Sequence, residues 1–195
     1  MNNPNQNLSK MIKVSLLVAI AVILMYFDFP VIPLFPWLKV DLSEVPALMG
    51  GFAYGPITGG VIVVLKVLLR FLIKGTETGF IGELANIIVG VALVMPAAWI
   101  YNKNKSKKTA IMGMVVGGIV MELLGIVSNI YLLLPAYGIR MNPAELKQYV
   151  TVGILPFNGV KALIVGIITY VLYKKVSLAI FKVDSKFGSN KKQIA

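Results

Sequence analysis

Apolar residues run almost unbroken over Met11 to Phe27, Pro56 to Ile73, Leu84 to Ile100, Ala110 to Leu134 and Leu155 to Leu172. Each run is near the roughly 17–25 residues that a helix needs to cross hydrocarbon. The pattern predicts an all-α, polytopic membrane protein. With their flanks, the runs give helices over Lys10 to Phe27, Pro56 to Lys74, Gly82 to Tyr101, Lys108 to Leu134 and Leu155 to Phe181. A further, short helix is predicted as the second of six, from an N-cap at Ser43, with Pro46 in its first turn, to Tyr54, where Gly55-Pro56 breaks the chain. It is too short to span without tilt or burial. Between the first and second helices, Pro30, Pro33 and Pro36 each remove a backbone donor, so Asp28 to Leu42 reads as an irregular loop.

Composition sharpens this picture. Of 195 residues 57% are hydrophobic, and the mean hydropathy is +0.82. Too little polar chain remains for a separate soluble domain, so residues 1–195 read as one integral-membrane domain. Met25-Tyr26-Phe27-Asp28 offers no small-x-small cleavage site after the first run, which is therefore expected to be a retained helix. The absence of cysteine and histidine removes disulfides, thiolate nucleophiles, imidazole bases and the usual zinc and haem ligands. Isolated acidic residues likewise fit poorly with an intramembrane enzyme, and no metal site or catalytic group is expected.

The net charge of +11 would point to nucleic acid in a soluble protein, but here the lysines flank apolar spans, where they meet anionic lipid headgroups instead. With the N-terminus in the cytoplasm, Lys10, Lys13, the Lys103 to Lys108 loop and the lysines from Lys174 to Lys192 all fall inside. Only Lys39, Lys74, Arg140 and Lys147 fall outside, as the positive-inside rule requires. Both termini are thus expected in the cytoplasm. The outer side receives the proline-rich loop, the turn Gly75 to Gly79 and a long loop over Pro135 to Ile154, which points to that face as the one that meets a ligand.

Polar groups inside spans are costly in hydrocarbon and stand out as functional candidates. Gly118, Glu122, Gly125 and Asn129 share one stripe of the fifth helix, and Asn158 and Lys161 share a face of the sixth near its outer end. Asn129, Asn158 and Lys161 are expected at similar depth, although polar residues also serve as glue between helices. Lys66 lies near mid-span and requires a partner, with Glu122 the candidate. Arg70, one turn on, is expected to reach the outer interface. Gly113 and Gly117 read as a close-packing pair. Phe29, Phe35, Trp37 and Tyr137 suit either an interfacial aromatic belt or a lid, and the alternating Lys39 to Ser43 stretch suits an extended segment closing over a pocket.

The segment Leu38 to Leu48, the following Gly55-Pro56, the Gly82-Glu83-Leu84-Ala85-Asn86 motif and the Asn158-x-x-Lys161 pair resemble the riboflavin-specific S components of energy-coupling factor (ECF) transporters. The resemblance covers essentially all six helices. It implies a multi-pass protein of a prokaryotic plasma membrane that captures a vitamin from outside, with riboflavin as transported ligand and no cofactor. It also implies docking on a transmembrane coupling subunit that carries two ATP-binding-cassette ATPases. This chain has no G-x-x-x-x-G-K-[ST] loop of its own, so its partners would hydrolyse the ATP.

Residue by residue, the resemblance assigns Asn129, Asn158 and Lys161 to the isoalloxazine ring, Lys39, Val40, Asp41 and Leu42 to the closing loop, and Glu83 and Asn86 to the neighbourhood of the pocket. The Ala-x-x-x-Ala docking motif of the family has Ser15-x-x-x-Ala19 as its nearest match. Specificity for another small vitamin or for flavin mononucleotide, and a bundle without a ligand, stand as the alternatives.

Overall fold

The computed structural model describes residues 4–36, 38–76 and 79–176. Trp37, the middle of the Gly75 to Gly79 turn and the expected run of the last helix to Phe181 lie wholly or partly outside these residues.

Among the described residues five helical stretches are long and apolar enough to cross a membrane, namely Asn7–Met25, Pro56–Lys74, Ile81–Asn104, Lys107–Ala136 and Pro143–Tyr173. The first belongs to α1 (Pro4–Met25), and the next two are α3 (Pro56–Lys74) and α4 (Ile81–Asn104). Between α1 and α3 lies α2 (Glu44–Tyr54), whose 11 residues are nearly all buried. At about 1.5 Å per residue α2 covers roughly half of the hydrocarbon thickness, so burial among its neighbours is what makes it tolerable there. The outward faces of the long helices carry Leu16, Ile23, Leu72, Ile119 and Leu163, all exposed, as a lipid-facing surface requires.

Local chemistry sets the boundaries. Gly55 at φ +103° joins α2 to α3, and Pro56 at the start of α3 gives up a donor that has no helical partner there. Lys105 adopts a left-handed φ of +31° at the end of α4. The capping box of Ser106 and Thr109 then opens α5 (Lys107–Ser128). The predicted glycine pair of α5 packs on α4, where a Cβ on Gly113 would lie 2.5 Å from the Ala97 carbonyl oxygen and one on Gly117 2.3 Å from that of Leu93. Only a bare Cα permits this approach.

Four expectations need correction. Ser43 does not cap α2 with its side chain; its own backbone is helical, at φ −68° and ψ −17°. The segment Pro135 to Ile154 is mostly helical rather than a long loop. It contains α6 (Leu134–Ala136), α7 (Pro143–Gln148) and a π-helical turn, Tyr149–Ile154, that runs into α8 (Leu155–Val176). Asn142 and Glu145 form the capping box that starts α7, which is why the chain resumes a helix so soon after Gly138. The first helix begins at Pro4, a turn and more before Lys10. Finally, Lys66 pairs with Glu44 and not with Glu122.

Among its described residues the proline-rich loop is irregular except for two short antiparallel strands, β1 (Phe29–Pro30) and β2 (Lys39–Val40), with Phe29 opposite Val40 and Pro30 opposite Lys39. This hairpin lies at the end of the bundle where α1 and α3 finish and α4 begins. Lys103 to Lys108 join α4 to α5 at the other end, near an aromatic cluster of Phe52, Tyr101 and Tyr173.

Candidate functional site

A cavity of about 540 Å³ opens under the hairpin, within the roughly 300–1,000 Å³ typical of small-molecule sites. Its apolar walls come from Leu133, Leu134 and Tyr137 beyond α5, Val89 of α4, and Phe157 of α8. Its amide and ammonium groups are few and convergent, being those of Lys39, Asn86, Asn129, Asn158 and Lys161. Against it lies a smaller space of about 240 Å³ that shares Lys39, Gly82 and Asn86 and is lined by Asp28, Asp41, Arg70, Lys74 and Glu83. An apolar chamber with a polar annexe results.

Two π-helical turns shape the main wall. Asn129–Leu133 ends α5, and Tyr149–Ile154 precedes α8. A π-turn inserts an extra residue and loosens the backbone ladder, a feature frequent at functional sites. The first residues of the two turns meet, since the Tyr149 hydroxyl donates to Asn129 Oδ1 at 2.8 Å. Asn129 Nδ2 donates to the Gly125 carbonyl at 2.8 Å. One amide hydrogen of Asn129 is left for a ligand. Asn86 contributes the opposite polarity, with a buried Oδ1 that has no hydrogen-bond partner among the described residues.

Behind Lys161 lies a buried ionic cluster. Glu44 Oε1 accepts from Lys66 at 2.8 Å and stands 3.2 Å from Lys161 Nζ. Lys66 also donates to the Ser43 hydroxyl. Asp41, 4% exposed, receives the Ser43 backbone N–H on Oδ1 at 2.7 Å. Burial alone would raise the Asp41 carboxyl, but the Lys161 and Lys66 ammonium groups and the Ser43 N–H outweigh it and hold the group below its usual 3.8. Two carboxylates thus face two ammonium groups, so no net charge is buried.

The hairpin is held down over the cavity by packing and by charge. Phe35 is 8% exposed and meets the Tyr149 ring edge-on at a centroid distance of 5.1 Å. Gly153 leaves room for it, because a Cβ there would lie 2.8 Å from the Phe35 ring. Asp28 reaches Lys39 at 3.5 Å and Arg70 at 3.6 Å. Arg70 therefore binds the loop to α3 instead of only reaching the interface.

Of the residues singled out in the sequence, Lys39, Asn86, Asn129, Asn158 and Lys161 come together on the main cavity, and Asp41 and Glu83 on the annexe. Glu83 Oε2 accepts from the Thr76 hydroxyl at 3.0 Å. The side chains of Val40 and Leu42 pack with the buried interior and line neither space. Ser15 and Ala19 line neither space and lie on the exposed outer face of α1 beside Ile12, Leu16 and Ile23. Glu44 and Tyr149 join the site without being among the residues that the sequence pattern singles out. Glu44 did carry a signal, as a carboxylate entering an otherwise apolar, glycine-rich helix.

Residues 9–173 match the family described as "ECF transporter, substrate-specific component". The chain is 34% identical over 179 residues to "Riboflavin transporter RibU" of Staphylococcus aureus (strain TCH60), covering 90% of this chain and 93% of that one. It is 33% identical over 173 residues to "Riboflavin transporter FmnP" of Bacillus subtilis (strain 168), covering 86% and 91%. A solved structure described as the S component of a bacterial ECF transporter superposes with a TM-score of 0.76 at 33% identity, over 88% of this chain and 96% of that chain.

Proposed function

Because the chain belongs to the substrate-specific components of ECF transporters, a family of bacterial multi-pass plasma-membrane proteins, we propose that it captures riboflavin at the outer face. The observation that carries this reading is the cavity wall on which Asn129, Asn158 and Lys161 gather among apolar and aromatic surfaces. The pyrimidine edge of a flavin presents carbonyl acceptors flanking an N–H, and amide and ammonium groups match that edge. Riboflavin is neutral, so Lys161 acts as a hydrogen-bond donor and not as a counter-ion.

The annexe suits the ribityl chain. It sets Lys39, Arg70 and Lys74 beside Asp28, Asp41 and Glu83, giving hydroxyls donors and acceptors alike while offering a terminal phosphate no net cationic field. Lys39 to Leu42 form the closing arm of the lid, in which Val40 and Leu42 anchor the segment from within. Release then requires the coupling subunit and its two ATPases, docked through the Ser15 and Ala19 face of α1. The lysine-rich end of the bundle, with both chain ends, faces the cytoplasm.

The test is titration of detergent-purified protein with riboflavin, its mononucleotide and unrelated vitamins, read by quenching of flavin fluorescence. Tight binding of riboflavin, weaker binding of the phosphate and none of the others is the expected order. Retention of a different vitamin and no flavin would reject the assignment.

A further inference from the structure

We propose that Tyr149 is a positioning residue that holds the Asn129 amide so that it presents an N–H, and not its oxygen, to the cavity, an inference that rests on the riboflavin reading above. A side-chain amide has a donor end and an acceptor end of nearly the same shape. Left alone, it meets a donor or an acceptor of a ligand equally well. The partners that hold it within the protein decide which of the two it shows.

Asn129 is held at both ends. Its Nδ2 lies 2.8 Å from the Gly125 carbonyl oxygen, which can only accept, so the end that faces Gly125 must be the nitrogen. Its Oδ1 receives the Tyr149 hydroxyl at 2.8 Å. Asn129 and Tyr149 are 8% and 3% exposed, which leaves water little access to replace either bond. With the oxygen engaged and one amide hydrogen used, a single N–H remains for the cavity that Asn129 lines.

The hydroxyl can hold the amide because the ring that carries it is itself held. Asn129 opens the π-helical turn that ends α5 and Tyr149 opens the one that leads into α8, so their bond joins the two turns at their first residues. The Tyr149 ring also meets Phe35 of the proline-rich loop edge-on at 5.1 Å. Gly153 admits both rings, since a Cβ there would lie 2.8 Å from Phe35 and 3.4 Å from Tyr149. The loop and the Asn129 amide thus bear on one phenol. An N–H presented by Asn129 matches a carbonyl of the flavin edge. Without the hydroxyl, Oδ1 is left buried with no donor and is free to turn to the ring N–H of the ligand instead. Tyr149 thus acts on specificity through Asn129.

The test titrates riboflavin, and its two analogues in which sulfur replaces one or the other carbonyl oxygen of the pyrimidine edge, into the purified full chain. Sulfur accepts hydrogen bonds weakly, so the unmodified protein should bind at least one analogue clearly less well than riboflavin. Tyr149→Phe, which keeps the ring against Phe35, should weaken riboflavin binding about tenfold and narrow that preference. Replacing Tyr149 by 4-aminophenylalanine, whose N–H still donates, should restore most of both. In an Asn129→Ala background Tyr149→Phe should cost little further. The positioning role is overturned by unchanged affinity and preference in Tyr149→Phe, or by a 4-aminophenylalanine protein that behaves as Tyr149→Phe does. It is equally overturned by a loss that persists undiminished without Asn129, which would mean that the hydroxyl touches the ligand itself. Failure of the unmodified protein to bind riboflavin would overturn the functional reading, and this role with it.

Discussion

Glu44 and Lys161 face each other across 3.2 Å in the interior of the bundle, tying the first turn of α2 to the face of α8 that lines the cavity. The same Glu44 oxygen receives Lys66 from α3, so one carboxylate fixes three helices. Removing one member of such a buried group leaves an uncompensated charge at roughly 3–5 kcal/mol, whereas removing opposite charges together costs less. Glu44→Gln should therefore lower the melting temperature in detergent markedly, and adding Lys66→Met should recover part of the loss. A double variant less stable than Glu44→Gln alone would show that charge balance is not what the cluster supplies.

Lys161 belongs both to that cluster and to the cavity wall. Lys161→Met should weaken riboflavin binding about ten- to a hundredfold, equivalent to roughly 1–3 kcal/mol for an unmade hydrogen bond to a buried partner. Lys66→Met, which removes a cation that does not line the cavity, should destabilise the fold with a smaller loss of affinity. Equal affinity losses in the two variants would make Lys161 a structural residue only.

The spans were legible because hydrocarbon leaves the backbone few options, and a run of apolar residues as long as Pro56 to Lys74 has one outcome. The trio of Asn129, Asn158 and Lys161 was legible because helical spacing places such residues by arithmetic. The partner of Lys66 was not, since Glu44 stands 22 residues away and meets it only through the packing of α2 on α3. Glu44 itself resembled an ordinary first-turn acid that complements a helix dipole. The helical return after Pro135 carries its own local signal, the Asn142-Pro143-Ala144-Glu145 box that starts α7, but six residues are too few for the apolar periodicity by which the long spans stand out.

Two kinds of contact of very different strength hold the proline-rich loop. The Asp28 pairs with Lys39 and Arg70 are long and partly exposed, and exposed pairs contribute about 0.2–1 kcal/mol each. Truncating a buried phenylalanine costs about 3–5 kcal/mol. Phe35→Ala should therefore speed riboflavin release and amide hydrogen exchange over residues 29–42 far more than Asp28→Asn, with the Asn102 to Lys108 connection unaffected by either. Greater loosening in Asp28→Asn would identify the ion pairs as the true latch.

Asp41 gives the site a pH dependence of definite sign. A carboxyl held below 3.8 in the folded protein contributes stability that is complete above its unfolded value and is lost as the pH falls through the lower, folded one. The stability difference between the unmodified protein and Asp41→Asn should stay constant from about pH 7 to about pH 5 and shrink only below about pH 4. Thermal melts across that range measure it, and a difference already shrinking at pH 6 would mean that another group is titrating.

If the exposed stripe of α1 is the docking face proposed above, docking and capture use separate surfaces. Ile12, Ser15, Leu16, Ala19 and Ile23 recur at helical spacing on one outward face, and the small members let a neighbouring helix approach closely. A bulky side chain at Ala19 would hold that helix away while touching no residue of the cavity. Ala19→Trp should therefore retain riboflavin affinity within about twofold, a difference of roughly 0.4 kcal/mol. It should nevertheless fail to co-purify with the coupling subunit and its ATPases and support no uptake. Ile111→Trp, on the exposed face of α5, provides the comparison and should leave complex formation intact. Loss of complex formation in both variants would show that any added bulk on the lipid-facing surface is disruptive. Loss of binding in Ala19→Trp alone would place α1 in the capture step and not in docking.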